Sequence, residues 1–457
     1  IKMNLNENIF RAYDIRGLAY EELSTEVVTH IGRSLGSKSL ESGLSTIVLG
    51  RDGRKSSPDM YEWISDGIKS TGCDVIDIGV VSTPILYFAT HTLSSPNGVM
   101  ITGSHNPANY NGFKIVENKK TISGDSIQKI QERILKKEFL EGNGSEKSLD
   151  LKDKYLEYIL DNIKLERPIR LAIDCGNGTA GVIAEKVYKE LGCEVHSLYT
   201  EIDGNFPNHH PDPSKPENLT DLISLVKEKE LEVGLAFDGD ADRLGVVSKE
   251  GKIIFPDMQM VLFSGSILKR NKNAKIVFDV KCSKLLPEAI EEEGGTPIMS
   301  KTGHSYIKER MGQEKALLGG EMSGHIFFSD RWPGFDDGVY AGARMLEIIS
   351  NLSEEEDIFK SLPELVSTPE INLETSDKEK FKIVEDFISK ANYENCTSIL
   401  IDGVRLESES GWGLLRASNT SPNLVLRFEA DTKENLELIK NNFKKTLSEI
   451  NPSLGNF

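Results

Sequence analysis

Short apolar runs rich in β-branched residues alternate with helix-patterned segments from residue 45 onward, and this alternation leaves few choices of fold. Ser45–Gly50, Asp74–Gly79 and Gly98–Thr102 read as strands, with helices expected over Pro58–Thr71 and Thr83–Leu93. The rhythm restarts at Ile169–Asp174 and runs through Val182–Leu191, Glu194–Tyr199, Leu219–Lys229 and Val233–Phe237. It restarts again at Lys275–Phe278, after a helix that begins near Pro256. Such repetition implies α/β layers with largely parallel sheets and right-handed crossovers, here in three units of similar size. The last portion changes character. Ser398–Leu406, Trp412–Ser418 and Leu424–Ala430 read as strands with one helix on each side, a smaller α+β unit.

A chain of 457 residues is too long for a single hydrophobic core. Polar Glu138–Asp150, the region of Gly251, and Ser361–Thr368 after acidic Glu354–Asp357 read as linkers. They divide the chain into 1–149, 150–252, 253–365 and 366–457. With 54 basic against 72 acidic side chains the net charge is −18. That balance disfavours nucleic acid, which requires a basic footprint, and disfavours adhesion to anionic lipid. An anionic ligand must therefore be held by local clusters of arginine and lysine. No apolar stretch approaches the roughly 18 residues of a membrane span. The opening Ile1–Glu7 lacks the regions of a signal peptide, and Met3 reads as the natural start. Cys73, Cys175, Cys193, Cys282 and Cys396 form no CxxC pair, which argues against a disulfide framework or a zinc site. A soluble, cytoplasmic protein is expected.

Four loops carry residue types that do chemistry. Val233–Phe237 runs into Asp238-Gly239-Asp240-Ala241-Asp242-Arg243, where carboxylates at every second position can converge on a hard cation such as Mg²⁺. An EF-hand is excluded, because Arg243 replaces its glycine and Lys249 its bidentate glutamate. Gly98–Ile101 ends in Thr102-Gly103-Ser104-His105-Asn106-Pro107, where Ser104 is a candidate nucleophile or phosphoryl carrier and His105 its neighbour. Gly319-Gly320-Glu321-Met322-Ser323-Gly324-His325 places Glu321 and Ser323 two apart, suited to vicinal hydroxyls. Arg416-Ala417-Ser418-Asn419-Thr420-Ser421-Pro422 sets a guanidinium beside hydroxyls and an amide, suited to phosphate. Taken singly, the serine and RASNTSP loops read equally well as polar turns, and the GEMSGH loop reads better as a plain β-turn with a surface carboxylate. Arg11, Arg16, Lys114, Arg243, Lys281 and His304 are further cations near strand or loop ends.

Two segments compete with this reading. Gly176-Asn177-Gly178-Thr179-Ala180-Gly181 follows a strand, precedes a helix and has Glu201 beyond the next strand, which fits an NAD-dependent oxidoreductase. That fingerprint explains none of the other loops. Gly295–Thr302 approaches a phosphate-binding P-loop but carries Ser300 where the second glycine belongs, and is rejected.

In this order, the serine, aspartate, GEMSGH and RASNTSP loops resemble the α-D-phosphohexomutase superfamily, in its bacterial phosphomannomutase/phosphoglucomutase branch. The likeness spans nearly the whole chain. It takes in Phe10–Gly17, Asp203–Pro216, Phe278–Lys281, Lys301–His304, Phe335-Asp336-Asp337-Gly338 and Leu426–Asp431. The resemblance implies three similar mixed α/β domains and a smaller C-terminal α+β domain, heart-shaped around a central cleft. It implies interconversion of hexose 1-phosphate and 6-phosphate, of mannose or glucose, through a phosphoserine and a bound hexose 1,6-bisphosphate. Ser104 would be that phosphoserine. Asp238, Asp240 and Asp242 would hold Mg²⁺ with an oxygen of its phosphate. Glu321 and Ser323 would bind sugar hydroxyls, flanked by Met322, Gly324 and His325. Arg416, Ala417, Ser418, Asn419 and Thr420 would grip phosphate, with Tyr13, Arg243, Lys281 and His304 nearby. Arg16, Lys114 and His325 are its candidates for proton handling, with His105 beside the serine. Glucose or mannose 1,6-bisphosphate would prime the enzyme, phosphosugars would be its partners, and a monomer is expected. An inactive phosphosugar-binding protein is the non-enzymatic alternative. Ala241 departs from the glycine of many relatives, while Ser418-Asn419-Thr420 and Met322 favour the mannose/glucose branch over the glucosamine one.

Overall fold

The computed structural model describes residues 5–457, so Met3 and the first part of the leader reading lie outside the described residues. Two compact units emerge. The first runs to Ile267 and includes Ser323–Lys360; the second comprises Leu268–Met322 and Ser361–Phe457. Among the described residues no helix is long and apolar enough to cross a membrane.

The first unit holds two mixed sheets. In one, Thr46–Arg51 lies parallel to both Asp74–Val80 and Gly98–Ile101, and Tyr110–Glu117 then pairs antiparallel with Gly98–Ile101 and with Ile15–Leu18. In the other, Val233–Phe237 and Glu194–Leu198 both lie parallel to Arg170–Asp174, while Leu244–Ser248 returns antiparallel. Gly98–Ile101 and Val233–Phe237 are buried on both faces, which explains their unbroken apolar reading. Each delivers its functional loop at its C-terminal end, where open α/β sheets place their sites. The helices Ser57–Lys69 and Thr83–Thr92 fall within three residues of expectation.

Several helices fall outside the expected set, among them Asp125–Lys136, Lys152–Asn162, His304–Glu314, Gly338–Ser350 and, longest of these, Thr25–Glu41. The helix Thr25–Glu41 starts at an N-cap, Ser24, whose hydroxyl accepts from the Val27 N–H. It packs on Ser57–Lys69 through small residues: a Cβ on Gly32 would lie 2.3 Å from the Ile64 carbonyl oxygen, and one on Gly67 2.2 Å from that of Thr29. Backbones approach this closely only where side chains are nearly absent, so the contact face reads as weakly apolar.

The second unit pairs a parallel set with an antiparallel sheet. Lys275–Asp279 lies between Thr296–Ser300 and Leu318–Gly320, all parallel. Gly411–Ala417 sits between Val404–Ser408 and Asn423–Ala430, with helices Lys380–Lys390 and Lys433–Ile450. The single strand expected over Ser398–Leu406 is two, Thr397–Ile399 and Val404–Ser408. Between them Gly403 takes φ +68° and Asp402 accepts hydrogen bonds from Arg416 and from the Thr302 N–H, which bends the chain. Trp412 is fully buried with the Arg405 guanidinium 3.7 Å over its ring, and that guanidinium donates to the Val280 and Cys282 carbonyls.

The helix Gly338–Ser350 is capped by Asp337, whose side chain accepts from the Tyr340 N–H at 2.9 Å and the Tyr155 hydroxyl at 2.6 Å. Burial pushes the Asp337 carboxyl up to about 7, against these donors, which favour its ionised form. The folded chain thus keeps a proton that the unfolded chain, with a carboxyl near about 4, has already released. This contribution to stability is complete below about pH 4 and is lost as the pH rises through about 7. The thermal midpoint should therefore fall more steeply between about pH 4 and 7 in the native protein than in Asp337→Asn. Parallel curves by circular dichroism would refute the assignment.

Candidate active site

Ser104 terminates the strand Gly98–Ile101 in a left-handed turn, φ +52°, which costs a non-glycine residue about 1–2 kcal/mol. The loop is held against that cost. The buried Arg54 guanidinium donates to the carbonyls of Ser104 at 3.0 Å, Asn106 at 2.7 Å and Pro107 at 2.5 Å. Asp52 accepts from the Gly103 N–H, the Thr102 hydroxyl and Arg54 Nε. Arg16, on the strand Ile15–Leu18, donates to Asn106 Oδ1 at 2.6 Å and also pairs with Asp14. The Ser104 hydroxyl therefore has one direction to point. It lies 3.3 Å from His105 Nδ1 and 3.5 Å from Asp238 Oδ2. Burial first, and the charge of Arg243 second, hold His105 well below the usual imidazole range.

The aspartate loop meets it. Asp238, Asp240 and Asp242 are buried, with an oxygen of each lying within 4.8 Å of the others. Like charges at that spacing repel by roughly 3–4 kcal/mol per pair at an effective dielectric of about 20, so counter-charges are required. Lys114, only 4 % exposed, supplies one: its Nζ lies 2.6 Å from Asp240 Oδ2 and 2.6 Å from Asp242 Oδ2. Arg243 supplies the other, donating from Nε to Asp238 Oδ2 at 2.9 Å, from its second arm to Asp212, and to the Ser323 carbonyl. Burial opposes ionisation of Asp240, but the Lys114 ammonium holds it below the usual carboxylate range. Burial and the two sibling carboxylates push Asp238 well above it.

Two atoms identify what this cluster suits. Among the described residues, Asp240 Oδ1 and Asp242 Oδ1 are buried with no hydrogen-bond partner. Leaving such an oxygen unsatisfied costs about 1–3 kcal/mol, more when charged. A hard divalent cation satisfies both, and all-oxygen donors beside a serine suit Mg²⁺. The residues present therefore fit that ion.

His325 reaches the same cluster. Its Nδ1 lies 2.8 Å from Asp336 Oδ2 and 3.8 Å from Asp242 Oδ1. A carboxylate only accepts, so Nδ1 carries the proton and Nε2 remains an acceptor. The segment Phe335-Asp336-Asp337-Gly338 braces the site at three points. Asp336 orients His325, Asp337 caps the helix, and the Gly338 N–H donates to the Ala241 carbonyl. Ala241 itself sits at φ +60°, a conformation that glycine adopts at lower cost.

The GxGxxG segment is occupied by the protein itself. The Thr179 N–H and hydroxyl both donate to the Gly239 carbonyl, at 3.0 and 3.2 Å. A Cβ on Gly178 would lie 2.7 Å from that oxygen, and one on Gly239 would lie 2.2 Å from the Ser104 carbonyl oxygen. Three loops are thus stacked backbone on backbone, and no pyrophosphate can approach these glycines.

The first unit therefore brings together Ser104, His105, Arg16, Lys114, the three aspartates, Arg243, Ser323, Gly324 and His325. Tyr13 lies half-buried on the bend before Ile15–Leu18. The second unit holds the rest. Asp279, at the end of its strand, accepts from the Met322 N–H and the Thr302 hydroxyl, and Glu321 accepts from the Gly303 N–H at 2.6 Å. His304 opens the next helix. Lys281 pairs with Glu370 at 3.1 Å; burial opposes its charge, but Glu370 and Asp279 raise its pKa. Arg416 Nε donates to Asp402 at 3.0 Å and Ala417 is buried beside it. Ser418 then closes a turn, accepting from the Thr420 and Ser421 N–H groups, with half-buried Asn419 and exposed Thr420 at its tip. Sequence reasoning missed Asp52, Arg54, Thr83, Asp212, Asp336 and Asp402. Asp52-Gly53-Arg54, a turn at the end of a strand, offered a local signal, and Asp212 and Asp336 lay in segments that carried the family likeness without a role being given to either.

Comparison with known proteins gives one family. The chain matches four successive family models: "Phosphoglucomutase/phosphomannomutase, alpha/beta/alpha domain I" over residues 7–141, domain II over 153–251, domain III over 255–370, and the C-terminal domain over 370–446. It is 49 % identical over 451 residues to the phosphomannomutase/phosphoglucomutase of Pseudomonas aeruginosa, covering 98 % of this chain and 97 % of that one. It is 50 % identical over 455 residues to the phosphoglucomutase of Neisseria gonorrhoeae, covering 99 % of each. A solved phosphoglucomutase/phosphomannomutase family protein from Burkholderia thailandensis superposes with a TM-score of 0.94 at 45 % identity, covering 98 % of both chains.

The stacked loops predict that Gly239→Ala will displace Ser104 without unfolding the chain. Activity should fall about 100-fold or more at unchanged circular dichroism. Retention of activity would mean that the stack does not position the serine.

Proposed function

The chain belongs to the phosphoglucomutase/phosphomannomutase family, and from that premise we propose how its residues carry out the reaction. The protein is an isomerase that interconverts hexose 1-phosphates and hexose 6-phosphates. Neither the NAD-dependent oxidoreductase reading nor that of an inactive binding protein is supported. One observation carries the mechanism: a serine hydroxyl, held in a left-handed turn, stands 3.5 Å from the first of three buried aspartates, two of which present unpartnered oxygens.

Phosphorylated Ser104 gives its phosphoryl group to O6 of a hexose 1-phosphate. The P–Oγ bond breaks as the P–O6 bond forms, the O6 proton passes to His325 Nε2, and Ser104 Oγ keeps the bonding electrons and stays ionised until it attacks the O1 phosphoryl. The resulting 1,6-bisphosphate turns end over end, its O1 phosphoryl returns to Ser104, and His325 gives its proton to O1. Asp336 keeps the imidazole in the required tautomer through Nδ1. Lys114 and Arg16 are less suited to proton transfer, since one is clamped between two carboxylates and the other is paired with Asp14 and Asn106. Asp238, Asp240, Asp242 and an oxygen of phosphorylated Ser104 would hold Mg²⁺, which when bound neutralises charge on the transferring phosphoryl group. Glu321 and Ser323 bind sugar hydroxyls, with Met322 and Gly324 next to them in the sequence, and His304 is a further substrate-binding residue. Arg416, Ala417, Ser418, Asn419, Thr420 and Lys281 take the phosphate that is not reacting. Glucose or mannose 1,6-bisphosphate primes the serine.

A ³¹P NMR time course with Mg²⁺ and a trace of glucose 1,6-bisphosphate tests this reading on mannose 1-phosphate and glucose 1-phosphate. Conversion to the 6-phosphates is expected, and Ser104→Ala should abolish it; near-native turnover in that variant would exclude the phosphoserine. Asp336→Asn should lower kcat about 100-fold with KM little changed, because it removes tautomer control and not substrate contacts. An equal rise in KM would instead place Asp336 in binding.

A further inference from the structure

The aspartate loop is gripped by a residue 157 positions away in the sequence. Thr83 is fully buried at the start of the helix Thr83–Thr92. Its hydroxyl donates to Asp240 Oδ2, and its main-chain N–H donates to the Asp240 carbonyl at 3.0 Å. One residue thus fixes both the backbone and the side chain of a single aspartate.

The pattern of oxygens gives this grip a purpose. Asp240 Oδ2 is shared by Thr83 and Lys114, and Asp242 Oδ2 is held by Lys114. The other oxygens of both carboxylates, Oδ1, are buried and have no hydrogen-bond partner among the described residues. A carboxylate is planar, so fixing Oδ2 also fixes the direction in which Oδ1 points. We propose that Thr83 is a positioning residue of the cation site, holding Asp240 so that Oδ1 is presented to the metal. This rests on reading Asp238, Asp240 and Asp242 as that site.

Thr83 and Lys114 divide the work by charge. The ammonium offsets the repulsion between carboxylates but also repels an incoming cation. The hydroxyl orients without adding charge, so it strengthens the site at no electrostatic cost. Outer hydrogen bonds of this kind typically account for about 10–100-fold in metal affinity. Simple helix capping does not explain the arrangement. Ser82 holds the N-cap position yet makes no capping bond, and the Thr83 hydroxyl leaves its own helix for Asp240.

The test is a Mn²⁺ titration of the full chain, read by electron paramagnetic resonance as the loss of free-ion signal. Thr83→Val keeps the shape and removes the donor. It should bind Mn²⁺ about 10-fold or more weakly, with its thermal midpoint in chelator close to native. Thr83→Ser restores the donor and should return affinity to within about twofold of native. Native affinity in Thr83→Val, or a loss in Thr83→Ser as large as in valine, overturns the inference. Mn²⁺ binding that survives Asp240→Asn overturns the site reading and this inference with it. Should Thr83→Val fail to fold, the Mn²⁺-loaded crystal structure of the native chain decides. Metal on Asp240 Oδ1 with Thr83 still on Oδ2 supports the inference, and metal on Oδ2 overturns it.

Discussion

Three carboxylates buried within 4.8 Å of one another are the constraint around which the first unit is arranged. Such a cluster is repulsive and desolvated, and it folds only if cations and donors are brought to it. Lys114 comes from the strand Tyr110–Glu117, Thr83 from the start of a helix, and Arg243 from the loop itself. None satisfies Asp240 Oδ1 or Asp242 Oδ1. The cluster is therefore left with two buried oxygens that no donor among the described residues satisfies, the pair proposed above as cation ligands.

The serine loop depends on that arrangement. Ser104 occupies a backbone conformation suited to glycine, and its chemistry forbids glycine there. Arg54 and Asp52 hold the loop from beneath, while the Gly239 backbone presses on the Ser104 carbonyl and is itself held by Thr179. A segment whose sequence suggests nucleotide binding serves instead as the floor under the aspartate loop. Its glycines are small for close backbone contact, the same physical reason that places glycine in a dinucleotide turn.

The same physics sets how far the sequence could be read. Strands such as Val233–Phe237 were legible because burial on both faces leaves a continuous apolar run, and the loops at their ends were legible as dense local motifs. The helix Thr25–Glu41 was hidden because buried Gly32, Ser34, Gly36, Ser37 and Ser39 interrupt the apolar stripe of Val27, Val28, Ile31 and Leu35. The break in Ser398–Leu406 was hidden because it depends on Asp402 finding Arg416 and Thr302, neither adjacent in sequence. Thr83 and Asp402 were missed for the same reason. Each acts on a loop that only folding brings near, and a single threonine or aspartate carries no local signature of that role.

The mechanism proposed above makes Ser104 the carrier of the phosphoryl group between the two ends of the sugar. Peptide mass spectrometry tests that role most directly, on protein incubated with glucose 1,6-bisphosphate and Mg²⁺, before and after a chase with excess hexose 6-phosphate. One phosphoryl group per chain is expected, on Ser104, and it should be lost in the chase. Phosphate on another residue, or on Ser104 but inert to the chase, would contradict the phosphoserine mechanism.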